Sequence, residues 1–246
     1  MAPAPVGRPM AGPDTATVEI PAGDVALEGI LAVPDGARGI VVFAHGSGSS
    51  RESPRNNYVA EVIRGRRLGT LLFDLLTEEE DRVREHRFDI PLLTDRLEAA
   101  TEWLWSRDET VHLPVGYFGS STGAAAALRA ATRFADQIDA IVSRGGRVDM
   151  AADVLGDVSA PTLLVVGGTD TAVLEHNRDA LERLGGEAEL HVVVGADHRF
   201  EGPRGAPGGH RGGGRLVRPN AGPADSHRVG IGEPIDGPVA RIHTDR

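Results

Sequence analysis

The chain has 246 residues, with 26 basic side chains against 36 acidic ones and a net charge of −10, which argues against nucleic acid or an anionic membrane surface as the main partner. It has no cysteine, so disulfides, thiolate metal sites and a cysteine nucleophile are excluded, and no lysine, so a Walker A phosphate loop is excluded. No apolar run approaches the ~20 residues of a membrane helix. The opening MAPAPVGRPMAGPD lacks the apolar centre of a secretory leader. Residues 1–14 are therefore expected to be disordered and the protein cytoplasmic.

Strand and helix signals alternate along the chain. Residues 15–20 (TATVEI) and 25–34 (VALEGILAVP) predict two strands joined by a Pro-Ala-Gly-Asp turn, an antiparallel hairpin. Residues 39–46 (GIVVFAHG) and 69–76 (GTLLFDLL) are apolar without alternation, as strands buried on two faces require. A helix is expected between them over 56–66. Residues 77–91 are charged and aperiodic, and read as an excursion over one end of the sheet. Residues 92–108 form an amphipathic helix with Leu93, Leu97, Ala100 and Leu104 on one face. Trp103 and Trp105 are read as packing for that helix. Beyond residue 132, strands are expected at 139–146, 161–168 and 187–195, with an irregular helix near 148–155 and a regular one over 172–184. This alternation predicts an α/β fold with a mostly parallel, doubly wound sheet and an N-terminal antiparallel hairpin.

The character changes after Glu201. Residues 202–246 are rich in glycine and proline, have no amphipathic period, and carry 7 arginines against 4 acidic residues. They are expected to be disordered, which leaves 15–201 as the folded domain.

Residues 114–132 (PVGYFGSSTGAAAALRAAT) hold the most informative local pattern. An apolar strand runs into Gly-Ser-Ser-Thr-Gly and then into an alanine-rich helix. In that setting Gly119-x-Ser121-x-Gly123 is a nucleophile elbow, a tight corner that lifts one hydroxyl above the sheet edge. Glycines are needed where the chain doubles back too closely for side chains. The helix start also favours developing negative charge. A serine that merely caps the helix is the alternative reading.

Ligands of open α/β sheets gather beyond the carboxyl ends of the strands. Three loops at that edge offer a serine (Ser121), an acid (Asp170, in Gly-Thr-Asp) and a histidine (His198, in Ala-Asp-His). The residue types match acyl-transfer chemistry. Serine is a poor nucleophile until a histidine takes its proton, and an acid holds the imidazole tautomer. The turn after the first buried strand, His45-Gly46-Ser47-Gly48, exposes a backbone N–H of Ser47 that can pair with that of Thr122 as an oxyanion hole. His45 is read as shaping that turn rather than as a base.

These motifs resemble the α/β-hydrolases of the dienelactone-hydrolase-like group. VVFAHGSGSSRESPRN, TLLFDLLTEEE, GYFGSSTGAAAAL, IVSRGGR, TLLVVGGTD and GADHRF all stand in the expected places over roughly residues 15 to 200. The resemblance implies an α/β-hydrolase fold and a Ser121-His198-Asp170 triad acting on a small ester or lactone without cofactor or metal. Dienelactone hydrolases proper use a cysteine where this chain has Ser121, which points to a serine esterase. Members of the group also occur fused to phosphoribosyltransferases; the expectation here is a chain without that fusion. In this fold a helix normally follows the histidine loop. Residues beyond about Gly202 do not read as that helix, and their types fit a shifted reading frame of GC-rich DNA. A foreign C-terminus, and a domain without its final helix, are expected.

Other residues compete for roles. Asp197 adjoins His198 and Asp149 follows an earlier strand, but Asp170 is preferred as the acid. Glu78, Glu79, Glu80, Asp81, Glu85 and His86 read as solvated loop charge rather than a metal site. Arg144 and Arg147, flanking Gly145 and Gly146, are candidates to bind a substrate carboxylate, or else surface ion pairs. A nucleotide-binding Rossmann-like module is the rival from another class, since Gly46-x-Gly48 follows a strand and Asp74 ends the next. It fails at the third glycine, where Arg51 stands. A hydrolase fold with little or no activity is the remaining alternative.

Overall fold

The computed structural model describes residues 15–200. The expectations for residues 1–14 and 202–246, the foreign C-terminus and missing final helix included, lie outside the described residues. β1 (Thr15–Ala22) and β2 (Val25–Ala32) form the expected hairpin, closing with Ala22 opposite Val25 and Gly23 at φ 70° in the turn. β2 then pairs antiparallel with β4 (Gly69–Phe73). Every later pairing is parallel: β4 with β3 (Ile40–Ala44), then β5 (Val115–Ser120), β6 (Ile138–Arg144), β7 (Thr162–Gly167) and β8 (Ala188–Val193). The eight strands make one sheet in the order β1-β2-β4-β3-β5-β6-β7-β8. The mostly parallel sheet and its antiparallel hairpin are thus as the sequence predicts.

Consecutive strand residues serve opposite faces, which is why these strands show no polar alternation. Val42, Leu71 and Tyr117 join the main core, together with residues of α3 (Ile90–Trp105) and α4 (Thr122–Phe134). Their neighbours Phe43, Leu72 and Phe118 form a smaller cluster with Ala60 of α1 (Pro54–Arg64) on the other face. The predicted stripe Leu93, Leu97, Ala100 and Leu104 is buried, and Trp105 packs edge-on to Phe134 with ring centres 4.9 Å apart. Ala124 to Ala127 are fully buried. Their small side chains let α4 lie close under β5, the strand that feeds the corner at residue 121.

The charged excursion has a structural use. Thr77 and Glu80 close a capping box on the one-turn helix α2 (Glu78–Asp81), and Glu80 accepts from the buried Arg96 at 2.8 Å. Residues 148–157 form short 3₁₀ segments, and α5 (Thr171–Arg183) connects β7 to β8. No helix among the described residues is long and apolar enough to cross a membrane.

Candidate functional site

The corner after β5 is built from contacts that only glycine allows. A Cβ on Gly123 would fall 2.1 Å from the Ala44 carbonyl oxygen, and one on Gly119 would fall 2.5 Å from Ala124 Cα. Between them Ser121 sits at φ 50°, ψ −119°, a conformation that costs an L-residue roughly 1–3 kcal/mol. Its hydroxyl makes no cap bond to α4, so the capping alternative does not describe it. The strained backbone is splinted by the loop after β6: Ser121 N–H donates to the Arg144 carbonyl at 3.3 Å, and Arg147 N–H donates to the Ser121 carbonyl at 3.0 Å. Asn177 of α5 holds that loop in turn, donating from Nδ2 to the Gly146 carbonyl at 3.0 Å.

The loops after β7 and β8 are hydrogen-bonded to each other. Gly168 N–H donates to the Val193 carbonyl at 2.9 Å, while Thr169 N–H and Oγ1 reach the Ala196 carbonyl at 3.0 and 2.8 Å. This brings Asp170 and His198 together, with Asp170 Oδ2 2.6 Å from His198 Nδ1. Asp170 stands at the N-cap of α5 but makes no cap bond, because its carboxylate turns to the histidine instead. The competing acids are engaged elsewhere. Asp197 Oδ1 accepts the N–H of Arg199 at 2.9 Å, and Asp149 takes a two-pronged ion pair from Arg147 at 2.8 and 2.7 Å. The His198 ring is nearly half exposed and packs by Gly145, where a Cβ would lie 3.6 Å from His198 Cε1. No hydrogen bond joins the ring to Ser121.

The His45-Gly46-Ser47-Gly48 turn lies against the elbow: a Cβ on Gly46 would fall 2.9 Å from Ser121 Cβ. His45 is buried and its tautomer is set by its partners. Leu75 N–H donates to Nε2 at 3.0 Å, so Nδ1 carries the proton and donates to the Gly46 carbonyl at 3.0 Å. Burial holds its pKa below the ordinary 6.5, opposed by the Gly46 bond and by Asp74. A histidine so held contributes stability that is complete above the unfolded value and is lost as pH falls through the folded one. His45→Gln, which keeps an acceptor for Leu75 N–H, should therefore lose less stability than the native chain between pH 7 and pH 5. Urea midpoints measured across that window test this, and identical pH dependence of the two proteins would refute it.

The N–H of Ser47, which the sequence offers as an oxyanion donor, is engaged in this structure. It donates to Thr122 Oγ1 at 3.1 Å, across 75 positions of sequence. The two flanking arginines also part company. Arg147 is committed to Asp149, whereas the Arg144 guanidinium stacks 4.7 Å from the centre of the Phe200 ring and has no carboxylate partner among the described residues. Burial and the like charge of Arg55 lower its pKa from the ordinary guanidinium value.

A small cleft beside the turn was not legible in the sequence. Leu76 and Leu93 line it with the Arg87–Asp81 ion pair, whose nitrogen and oxygen are 2.9 Å apart. Nothing periodic marks Leu76, Asp81 or Arg87, which meet Leu93 of the α3 stripe only because the excursion folds back over the sheet end. Asp74, the acid of the Rossmann-like alternative, is held by Arg51: the backbone N–H donates to Oδ1 at 2.7 Å and the guanidinium takes the other oxygen. The residue that breaks the glycine pattern thus occupies the group a ribose would need.

Comparison with known proteins agrees with this architecture. A crystal structure of dienelactone hydrolase from Anabaena variabilis is 52% identical and superposes with a TM-score of 0.76, covering 78% of this chain and 91% of that one. Est1E from Butyrivibrio proteoclasticus shares the fold at 16% identity, with a TM-score of 0.65 over 75% of this chain and 91% of its own. Two Mycobacterium tuberculosis sequences named as candidate phosphoribosyl transferases are 58% identical over 186 residues, 76% of this chain. The chain spans only 42% of their length. The model of the dienelactone hydrolase family matches residues 70–211. An α/β-hydrolase sheet, a strained serine corner and this match lead to one conclusion: the chain belongs to the dienelactone hydrolase family.

Proposed function

We propose that the chain is a serine hydrolase of the esterase type, acting on small ester or lactone substrates without a cofactor. The observation that carries this reading is the 2.6 Å bond between Asp170 and His198, made at the sheet edge where Ser121 is held at φ 50°. Ser121 Oγ attacks the acyl carbon while His198 Nε2 takes its proton; Asp170 keeps Nδ1 protonated and stabilises the imidazolium. Collapse of the tetrahedral intermediate expels the alcohol, which receives the proton from His198. Water then repeats the sequence on the acyl-enzyme. Thr122, with the Ser47 turn behind it, faces the charge that develops on the carbonyl oxygen.

The substrate is small. The cleft beside the turn, lined by Leu76, Leu93 and the Arg87–Asp81 pair, is narrow, which supports a small substrate. Arg144 is the residue to receive an anionic end of the substrate, and Arg147 is assigned instead to holding Asp149 and the elbow. The net charge of −10 supports a small-molecule partner rather than nucleic acid or a membrane surface. The arrangement around Ser121 suits acyl transfer to water, and the chain spans only 42% of the Mycobacterium sequences named as transferases. A fluorophosphonate probe should label the protein once, at Ser121, and nitrophenyl esters should turn over fastest with the shortest acyl chains. No labelling and no turnover on the acetate ester would overturn the assignment.

A further inference from the structure

The loop after β6, residues 144–147, touches the surroundings of all three members of the proposed triad. Arg144 and Arg147 bracket Ser121 with backbone bonds of 3.3 and 3.0 Å. Gly145 packs against His198, where a Cβ would lie 3.6 Å from Cε1. Gly146 offers its carbonyl to Asn177 Nδ2 at 3.0 Å, and Asn177 belongs to α5, the helix whose N-cap is Asp170. Asn177 follows Asp170 by close to two helical turns, so both stand on the same side of α5.

Asn177 is fully buried. Its Nδ2 also donates to the Val173 carbonyl at 2.8 Å, and two carbonyls facing one nitrogen fix the direction of the amide. Oδ1 is buried with it and has no hydrogen-bond partner among the described residues. An unpaired buried acceptor works against stability. Leucine has the same branched skeleton and would carry no such penalty, so packing alone does not account for an amide at position 177. The bond to Gly146 does.

We infer that Asn177 is a positioning residue, which locks the loop after β6 to the helix of Asp170 and so sets the nucleophile against its base. The inference rests on Ser121, His198 and Asp170 being the triad. Ser121 follows β5, whereas Asp170 and His198 follow β7 and β8, and β6 stands between them. The loops after β7 and β8 are bonded to each other, which holds the acid and the base together. The loop after β6 bridges that pair to the serine corner, and the Asn177 amide fastens the bridge on the side of the acid. Without the amide the loop keeps its bonds to Ser121 but loses this bond to α5. A displacement near 1 Å between reacting groups can lower a rate by roughly 100-fold. Asn177 itself meets neither substrate nor reacting atoms; it acts through the loop.

The test compares Asn177→Leu, which keeps the branched skeleton and removes the amide, with Ala180→Gly, which weakens the same helix and leaves the amide in place. On nitrophenyl acetate, Asn177→Leu should lower kcat about 10- to 100-fold, with KM within about three-fold of the native value. Its thermal midpoint should stay within about 2 °C of native. Ala180→Gly should do the reverse, with a midpoint lower by about 4 °C or more and kcat within about two-fold of native. The fluorophosphonate should still label Asn177→Leu to full stoichiometry at Ser121, but more slowly than the native protein. If Asn177→Leu does not fold, Asn177→Ala makes the same comparison. An Asn177 variant with native kcat would overturn the inference. Losses of kcat that follow the thermal midpoints of the Asn177 and Ala180 variants alike would overturn it too, by leaving the amide a role in stability alone. Failure of the native protein to label at Ser121 would instead remove the triad assignment, and this inference with it.

Discussion

Ser121→Ala should abolish ester hydrolysis, with kcat falling by roughly 10⁴- to 10⁶-fold, and should end fluorophosphonate labelling. The fold should survive. The variant loses one hydroxyl that makes no cap bond, while the corner itself is held by Gly119, Gly123 and the backbone bonds to Arg144 and Arg147. Alanine meets the same backbone strain as serine at φ 50°, so the thermal midpoint should move little. Ser120→Ala is the matched control. The Ser120 hydroxyl is buried without a hydrogen-bond partner at the end of β5, so its removal should leave activity near native. Loss of activity at position 120 with retention at 121 would shift the motif by one residue and refute the assignment.

Asp170→Asn should lower kcat about 10⁴-fold while leaving the protein folded. The carboxylate can only accept from His198 Nδ1, which leaves Nε2 unprotonated and able to take the serine proton. An amide at the same place can donate to Nδ1, which puts the proton on Nε2 and disables the base. Asp197→Asn should cost far less, because an asparagine oxygen can still accept the N–H of Arg199. Steady-state rates of the two variants, measured on one ester with melting curves as the folding control, decide the matter. A larger loss at Asp197 than at Asp170 would move the acid to the adjacent residue.

How much of this was legible beforehand depends on how local each feature is. The elbow was, because strand, glycines, serine and alanine-rich helix are consecutive, and each has a backbone reason for its place. The strands around Val42 and Leu71 were legible as buried on two faces, because their neighbours Phe43 and Leu72 are also apolar and must find a second layer. The stripe on α3 was equally clear from its spacing.

Tertiary structure alone decided the choices between chemically equivalent residues. Asp170 and Asp197 both follow strands at one sheet edge; the bonds from Gly168 and Thr169 to the histidine loop set which carboxylate meets His198. Arg144 and Arg147 flank the same two glycines, yet only Arg147 lies where Asp149 can take both prongs of its guanidinium. The bond from Ser47 to Thr122 joins residues on different strands' loops, and it depends on β3 and β5 lying side by side with Ala44 opposite Gly119. Periodicity and turn chemistry are written in neighbouring residues, so the sequence by itself determined the elements, the elbow and the order of serine, acid and histidine. Strand order and register act between segments far apart in the chain, so only the folded sheet determined which side chains share the site.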